Sequence, residues 1–335
     1  MKNIGSFILI TWLLAVSCSQ PTIGHKIQFT GEAQGTYYVI TYFADDTLIS
    51  QHQIDSVLAD FDLIASIWQP NSLISRINRN ETTVVDNKYF SAIFNLSQRI
   101  AKETGGAFDI TVGPLVNAWG FGFKNRMDMT KEKVDSILHF VGFQLIRFEN
   151  GQIIKDNPNI QLDFNAIAKG YSIDVIGGFL ESAGIKNYLV DIGGEVLARG
   201  TKPDDEKWII GIEKPSDEAT SERKLKATIK VEDIAVATSG NYRKFYIKDG
   251  IKFAHTIDPA TGFPVVHSLL SATVFSDSTA RSDAYATAFM VMGVEKAKEF
   301  LDRNPSIEAY LIYADETGKI KTFATKGISE MLNEL

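Results

Sequence analysis

Glu149-Asn150-Gly151-Gln152, set between two short strand-like runs, is the stretch that decides the fold class of this 335-residue chain. Asn-Gly supplies the central pair of a tight hairpin turn. Both positions need positive φ, which Asn and Gly adopt at least cost. Two short strands therefore pair antiparallel here. Upstream the spacing is helical instead. Ile54, Val57, Leu58, Phe61, Ile64 and Ala65 recur every three or four residues, which predicts an amphipathic helix over 49–66. Phe90, Ile93, Phe94, Ser97, Ile100 and Ala101 predict a second, closed by Gly105-Gly106. A third spans 131–141.

Before these, 27–43 reads as two strands broken at Gln34-Gly35. After the hairpin, 165–183 reads as a helix, and Tyr188-Leu189-Val190-Asp191-Ile192 as a buried strand leading into Gly193-Gly194. Several strands follow from 208 to 258, with another turn at Asp249-Gly250. A helix over 282–303 breaks at Gly293, and a last hairpin turns near Glu316-Thr317-Gly318. Hairpins mixed with separate helices predict an α+β fold with mixed and antiparallel sheets, helices around them, and a cleft built from distant segments.

Hydrophobic residues make up 44% of the chain, enough for a sizeable core without disulfides. The net charge is −7 with no long basic run, which argues against nucleic acid as a partner. Residues 1–17 read as a lipoprotein signal peptide. Lys2 gives the positive start, Phe7 to Val16 the apolar stretch, and Ala15-Val16-Ser17-Cys18 the cleavage motif. The branched residue usual three places before the cysteine is Ala15 here, with Leu14 one place earlier. An ordinary secretory signal with an incidental cysteine is the alternative. Cys18 is the only cysteine, which suits a thiol used solely as a lipid anchor. Residues 18–26 form a linker, and 27–335 a single domain.

No GxGxxG follows a strand, and there is no GxxxxGK[ST] and no HExxH, so the common nucleotide and zinc signatures are missing. Four other segments carry chemistry. From Thr104 to Gly122, paired glycines sit beside the oxygens of Asp109 and Thr111; a helix cap and turn is the plainer reading. In Leu162-Asp163-Phe164-Asn165-Ala166-Ile167-Ala168-Lys169-Gly170 a strand ends at an acid and a helix begins. Its N–H groups and Lys169 suit a phosphate, whereas Asp163 and Asn165 alone would serve as caps. Asp283 and Thr287 lie four apart on one helix face, hard oxygen ligands suited to magnesium, unless Asp283 is merely a helix-dipole partner. His255 leaves a strand into the Asp258-Pro259 and Gly262 turn, where a general base or a structural role would fit. His25, His52, His139 and His267 have no comparable setting.

Together these blocks resemble the bacterial ApbE flavin transferases, from about Phe29 to Leu332. The carriers are Gln34-Gly35-Thr36, Ser66-Ile67-Trp68, the Gly105–Gly122 run, Asp163–Gly170, Val190–Gly194, Ala237-Thr238-Ser239-Gly240, His255–Pro264 and Asp283–Thr287. The resemblance implies Mg²⁺-dependent transfer of FMN from FAD to a threonine of another protein, with release of AMP. It implies a metal site from the Ala166 carbonyl, Asp283 and Thr287. It places FAD contacts on Gln34, Trp68, Gln69, Pro70, Ala107, Phe108, Asp109, Asp163, Lys169 and Ile257, with His255 as the base. The family usually carries Met at Gln34 and Tyr at Trp68. Trp68 keeps an aromatic face for stacking, while Gln34 gives up a soft apolar contact. The implied setting is the periplasmic side of a bacterial membrane, with acceptors among periplasm-facing subunits of membrane redox complexes. An FAD pyrophosphatase and a non-catalytic FAD-binding lipoprotein are the alternatives.

Overall fold

In the computed structural model, residues 24–122, 127, 129–215, 224–241, 245–248, 251–254 and 256–335 are described. The signal peptide, Cys18, His255 and the Asp249-Gly250 turn lie outside them.

Eight strands form the central sheet: β1 (His25–Ala33), β2 (Thr36–Ala44), β3 (Tyr188–Ile192), β4 (Glu195–Arg199), β5 (Ile234–Gly240), β6 (Leu269–Ser276), β7 (Glu308–Ala314) and β8 (Ile320–Ala324). They lie side by side in chain order, and every described pairing is antiparallel. The sheet starts inside the expected linker, because His25 and Lys26 already pair with Ala44 and Phe43. Gln34 and Gly35 take φ of 53° and 73°, and Asn150 and Gly151 take 49° and 74°, the positive pair each hairpin needs.

Both faces of this sheet are covered. Alternate residues point to opposite sides. Val196, Ala198, Val236, Phe275, Tyr310 and Ile312 pack against a three-stranded sheet that supplies Trp208, Ile210 and Ile229. Ala272, Val274, Ala309 and Leu311 face the helices. Those are α1 (Gln51–Ala65), α2 (Lys88–Glu103), α3 (Ala168–Ser182), α4 (Thr279–Met292) and α5 (Val294–Arg303). Ser50 starts α1 through a reciprocal capping box with Gln53, and Gly293, at φ 76°, separates α4 from α5. The helix expected over 131–141 ends at Leu138.

One start differs from expectation. The helix predicted from Asn165 begins at Ala168, because the Asp163 carboxylate accepts the Asn165 N–H at 2.8 Å and holds a local turn instead of capping. The N-cap is Ile167, whose side chain makes no capping bond. The first turn of α3 therefore needs acceptors from elsewhere in the chain.

Candidate active site

Helix α4 supplies that acceptor. The Gly170 N–H donates to Asp283 Oδ2 at 3.1 Å, across 113 residues of sequence. Only glycine permits the approach. A Cβ on residue 170 would overlap the Thr279 carbonyl, standing 2.7 Å from its carbon and 2.9 Å from Asp283 Cβ. One turn further along α3, the Asp174 carboxylate accepts the N–H groups of Thr279 at 2.8 Å and Ala280 at 2.9 Å, and the Ser278 hydroxyl at 2.8 Å. A carboxylate at the positive end of α4 fixes where that helix starts. It thereby fixes the height of Asp283. Thr287, one turn on, shares a hydrogen bond with Ser239 of β5 at 3.2 Å.

Lys169 precedes the crossing and pairs with Glu195 Oε1 at 3.1 Å. Glu195 opens β4, directly after Gly193 and Gly194, which both take positive φ. Asp283 and Glu195 are 5% and 4% exposed, so two carboxylates share a buried volume with one ammonium. Burial raises the pKa of both; the neighbouring Asp283 charge adds to the rise at Glu195, while Lys169 and the Gly170 N–H oppose it at Asp283. The Glu195 charge holds Lys169 above its ordinary value against burial. Gln34 reaches the same helix. It accepts from the Ser172 hydroxyl at 3.3 Å and hydrogen-bonds Asp62, whose carboxyl burial pushes up. Its amide thus belongs to a polar network where an apolar contact was expected to be lost.

The other expected residues fall nearby or in the walls. Asp109 accepts the Thr111 N–H and hydroxyl and the Phe143 N–H, each at 2.7 Å, which ties the glycine run to Gly142-Phe143. Phe108 is buried in the main core and Ala107 half-buried beside it. The Ile110 carbonyl accepts the Asp163 N–H at 2.7 Å, joining the two glycine-linked blocks. Asp163 borders a cavity of about 220 Å³, with Ile67, Asn78, Arg79, Gly113 and Asn117 among its walls. Trp68, 56% exposed, and the exposed Gln69 and Pro70 follow Ile67 directly. The segment from Gln161 to Gly170 thus borders the cavity with its first residues and reaches the charged cluster with its last. Ile257 is buried with Leu115, Trp119 and Val134, and the Trp119 indole N–H donates to the Gly262 carbonyl at 2.8 Å. That bond fastens the Asp258–Pro264 turn to the glycine run.

Sequence reading missed Glu195, Asp174, Asn78 and Arg79. An acid directly after Gly193-Gly194 at the end of a buried strand was the available signal for Glu195. Asn78 carried none; it exchanges bonds of 2.8 and 2.7 Å with the Leu162 backbone, which only the fold reveals.

The donor set suits a hard cation. Among the described residues no three His, Cys, Asp or Glu side chains gather into a metal cluster. A cation here would depend on one or two carboxylates plus neutral oxygens, which Asp283, Thr287 and the half-buried Ala166 offer. Glu195 Oε2, buried without a hydrogen-bond partner among the described residues, is an acceptor in surplus at the same place.

Comparison with known proteins gives one answer. Residues 34–311 match the ApbE family. A FAD:protein FMN transferase from Vibrio cholerae serotype O1 is 34% identical over 97% of this chain and 98% of its own. One from Haemophilus influenzae is 33% identical over 98% and 96%. The solved structure of the flavin transferase ApbE from Vibrio cholerae superposes with a TM-score of 0.82 at 32% identity, covering 92% of this chain and 99% of that one.

Proposed function

The chain belongs to the ApbE family, and from that premise we propose that it transfers FMN from FAD to a threonine hydroxyl of an acceptor protein. The observation that carries this reading is the meeting of Lys169 and Asp283 at the start of α3, with the Gly170 N–H at 3.1 Å from Asp283 and Lys169 at 3.1 Å from Glu195. A cation, a carboxylate and an uncapped helix start converge there, as handling of a pyrophosphate requires.

Each residue has a task. Lys169 draws the negative phosphates to the head of α3. Trp68 offers an aromatic face for ring stacking beside the cavity that Asp163 borders. Asp109 and Asp163 hold the cavity wall through their backbone partners. Mg²⁺, held by Asp283, Thr287 and the Ala166 carbonyl, would supply neutralisation of charge on the pyrophosphate oxygens. In the reaction the threonine oxygen forms a bond to the FMN-side phosphorus. The bond from that phosphorus to the bridging oxygen breaks, and AMP leaves with the electron pair. His255 receives the hydroxyl proton. The nucleophile comes with the acceptor, so the chain needs no serine triad of its own.

We further propose that Cys18 carries a lipid, which places the domain on the periplasmic side of a membrane near acceptor subunits of redox complexes. Among the described residues no helix is long and apolar enough to cross a membrane. The deciding experiment incubates the protein with FAD and Mg²⁺, with and without an acceptor domain. AMP released only with acceptor supports transfer. AMP without acceptor would mean a pyrophosphatase, and no AMP a flavin-binding lipoprotein.

A further inference from the structure

Glu195 is the acid that the family's expected ligand set leaves out. Its carboxylate is 4% exposed. One oxygen is spent on Lys169, and the other has no hydrogen-bond partner among the described residues. The Asp283 carboxylate shares the same buried volume, with its Oδ2 taken by the Gly170 N–H. A buried carboxylate oxygen that no donor satisfies is costly to leave bare, and a cation bound there would satisfy it. Among the described residues Lys169 is the one ammonium bonded there, and its side chain is 33% exposed, which leaves it room to turn toward a substrate phosphate. The fold also holds Glu195 in place. A Cβ on Gly193 would stand 2.8 Å from Thr36 Cγ2, so the turn before Glu195 sits tightly on the β1–β2 hairpin, and the Gly194 N–H is tied to Asp191 Oδ1 at 2.8 Å.

We infer that Glu195 supplies a second carboxylate to the divalent-cation site, with the cation lying between Glu195 Oε2 and Asp283. This rests on the magnesium reading above. The chemistry fits: a small hard cation takes one or two carboxylates and completes its shell with water and phosphate. Lys169 and the cation then share Glu195, one on each oxygen.

The test uses the mature chain without FAD and Mn²⁺ as a paramagnetic probe, with Mg²⁺ as competitor. Binding is measured for wild type, Glu195→Gln and Glu195→Asp, with thermal melting of each to confirm the fold. Glu195→Gln should weaken Mn²⁺ binding about 10–100-fold, and Glu195→Asp, which keeps the charge, should recover part of that loss. Wild-type affinity in a folded Glu195→Gln protein overturns the inference, as does a wild type that binds no Mn²⁺. If Glu195→Gln does not fold, the Asp variant decides: affinity equal to wild type despite the shorter side chain counts against a direct ligand. FMN transfer assayed on the same preparations keeps the two readings apart. Transfer without Mn²⁺ binding to the FAD-free protein refutes the inference alone, whereas Mn²⁺ binding without transfer refutes the transferase reading alone.

Discussion

Replacing Gly170 by alanine should damage both the fold and the chemistry, and the structure sets the size of the effect. The added Cβ would meet the Thr279 carbonyl carbon at 2.7 Å and Asp283 Cβ at 2.9 Å. A backbone carbonyl inside a buried helix crossing cannot swing aside as a side-chain tip can. To bring the carbonyl carbon alone to ordinary contact near 3.4 Å, α3 and α4 must part by about 0.7 Å, and the Thr279 carbonyl oxygen, which lies nearer still, demands more. The Gly170 N–H would then lie at least about 3.8 Å from Asp283 Oδ2 instead of 3.1 Å, too far for a hydrogen bond. Overpacking of this kind costs about 1–3 kcal/mol, and a lost bond to a charged group about 1.5–3 kcal/mol. The better helix propensity of alanine returns about 1 kcal/mol. The expected net is a loss of about 2 kcal/mol or more, with a fall in kcat from the displaced Asp283. Urea unfolding and single-turnover FMN transfer measure the two. Gly178, on the same helix, is the control: a Cβ there meets nothing within 4 Å. Gly178→Ala should stabilise by about 0.5–1 kcal/mol with transfer unchanged. A Gly170→Ala protein as stable and active as Gly178→Ala would refute the close crossing.

Asp283→Ala should fold and lose transfer, a drop of several kcal/mol in transition-state stabilisation, and normal turnover by the folded variant would remove Asp283 from the site. His255→Ala should slow transfer by about 10²–10⁴-fold while FAD affinity holds; a parallel loss of both would mark His255 as structural. Cys18→Ser should give a soluble, active protein, and a variant still bound to membranes after signal cleavage would contradict lipidation there. For the metal-free protein, Glu195 is raised from 4.5 to about 8 and Asp283 is raised with it. The folded state therefore holds more protons than the unfolded one between the ordinary carboxylate range and about pH 8. Stability from this pair is present at low pH and lost as pH rises through that window. Urea midpoints should fall from pH 5 to 8 in wild type and fall less in Glu195→Gln; equal slopes would show that the pair is not buried as drawn.

By itself the sequence determined whatever depends on neighbours along the chain. Asn150-Gly151 fixed a hairpin because few residue pairs tolerate positive φ twice. The spacing of Ile54, Leu58 and Phe61 fixed α1, and Gly293 fixed the break after α4. The blocks around Asp163, Lys169, Asp283 and Thr287 were legible for the same reason: each is a short run of chemistry at helical or turn spacing. Tertiary structure decided how they meet. Asp163 looked like a helix cap and proved to hold a local turn, so α3 begins uncapped and takes its acceptor from Asp283, 113 residues away. Glu195 offered only one local signal, its place directly after Gly193-Gly194. Its meaning comes from Lys169 on one side and Asp283 on the other, and only the packing of α3 against β4 and α4 brings them together. Local backbone preferences can be read from adjacent residues, but buried charge is defined by what surrounds it, and the surroundings come from distant parts of the chain.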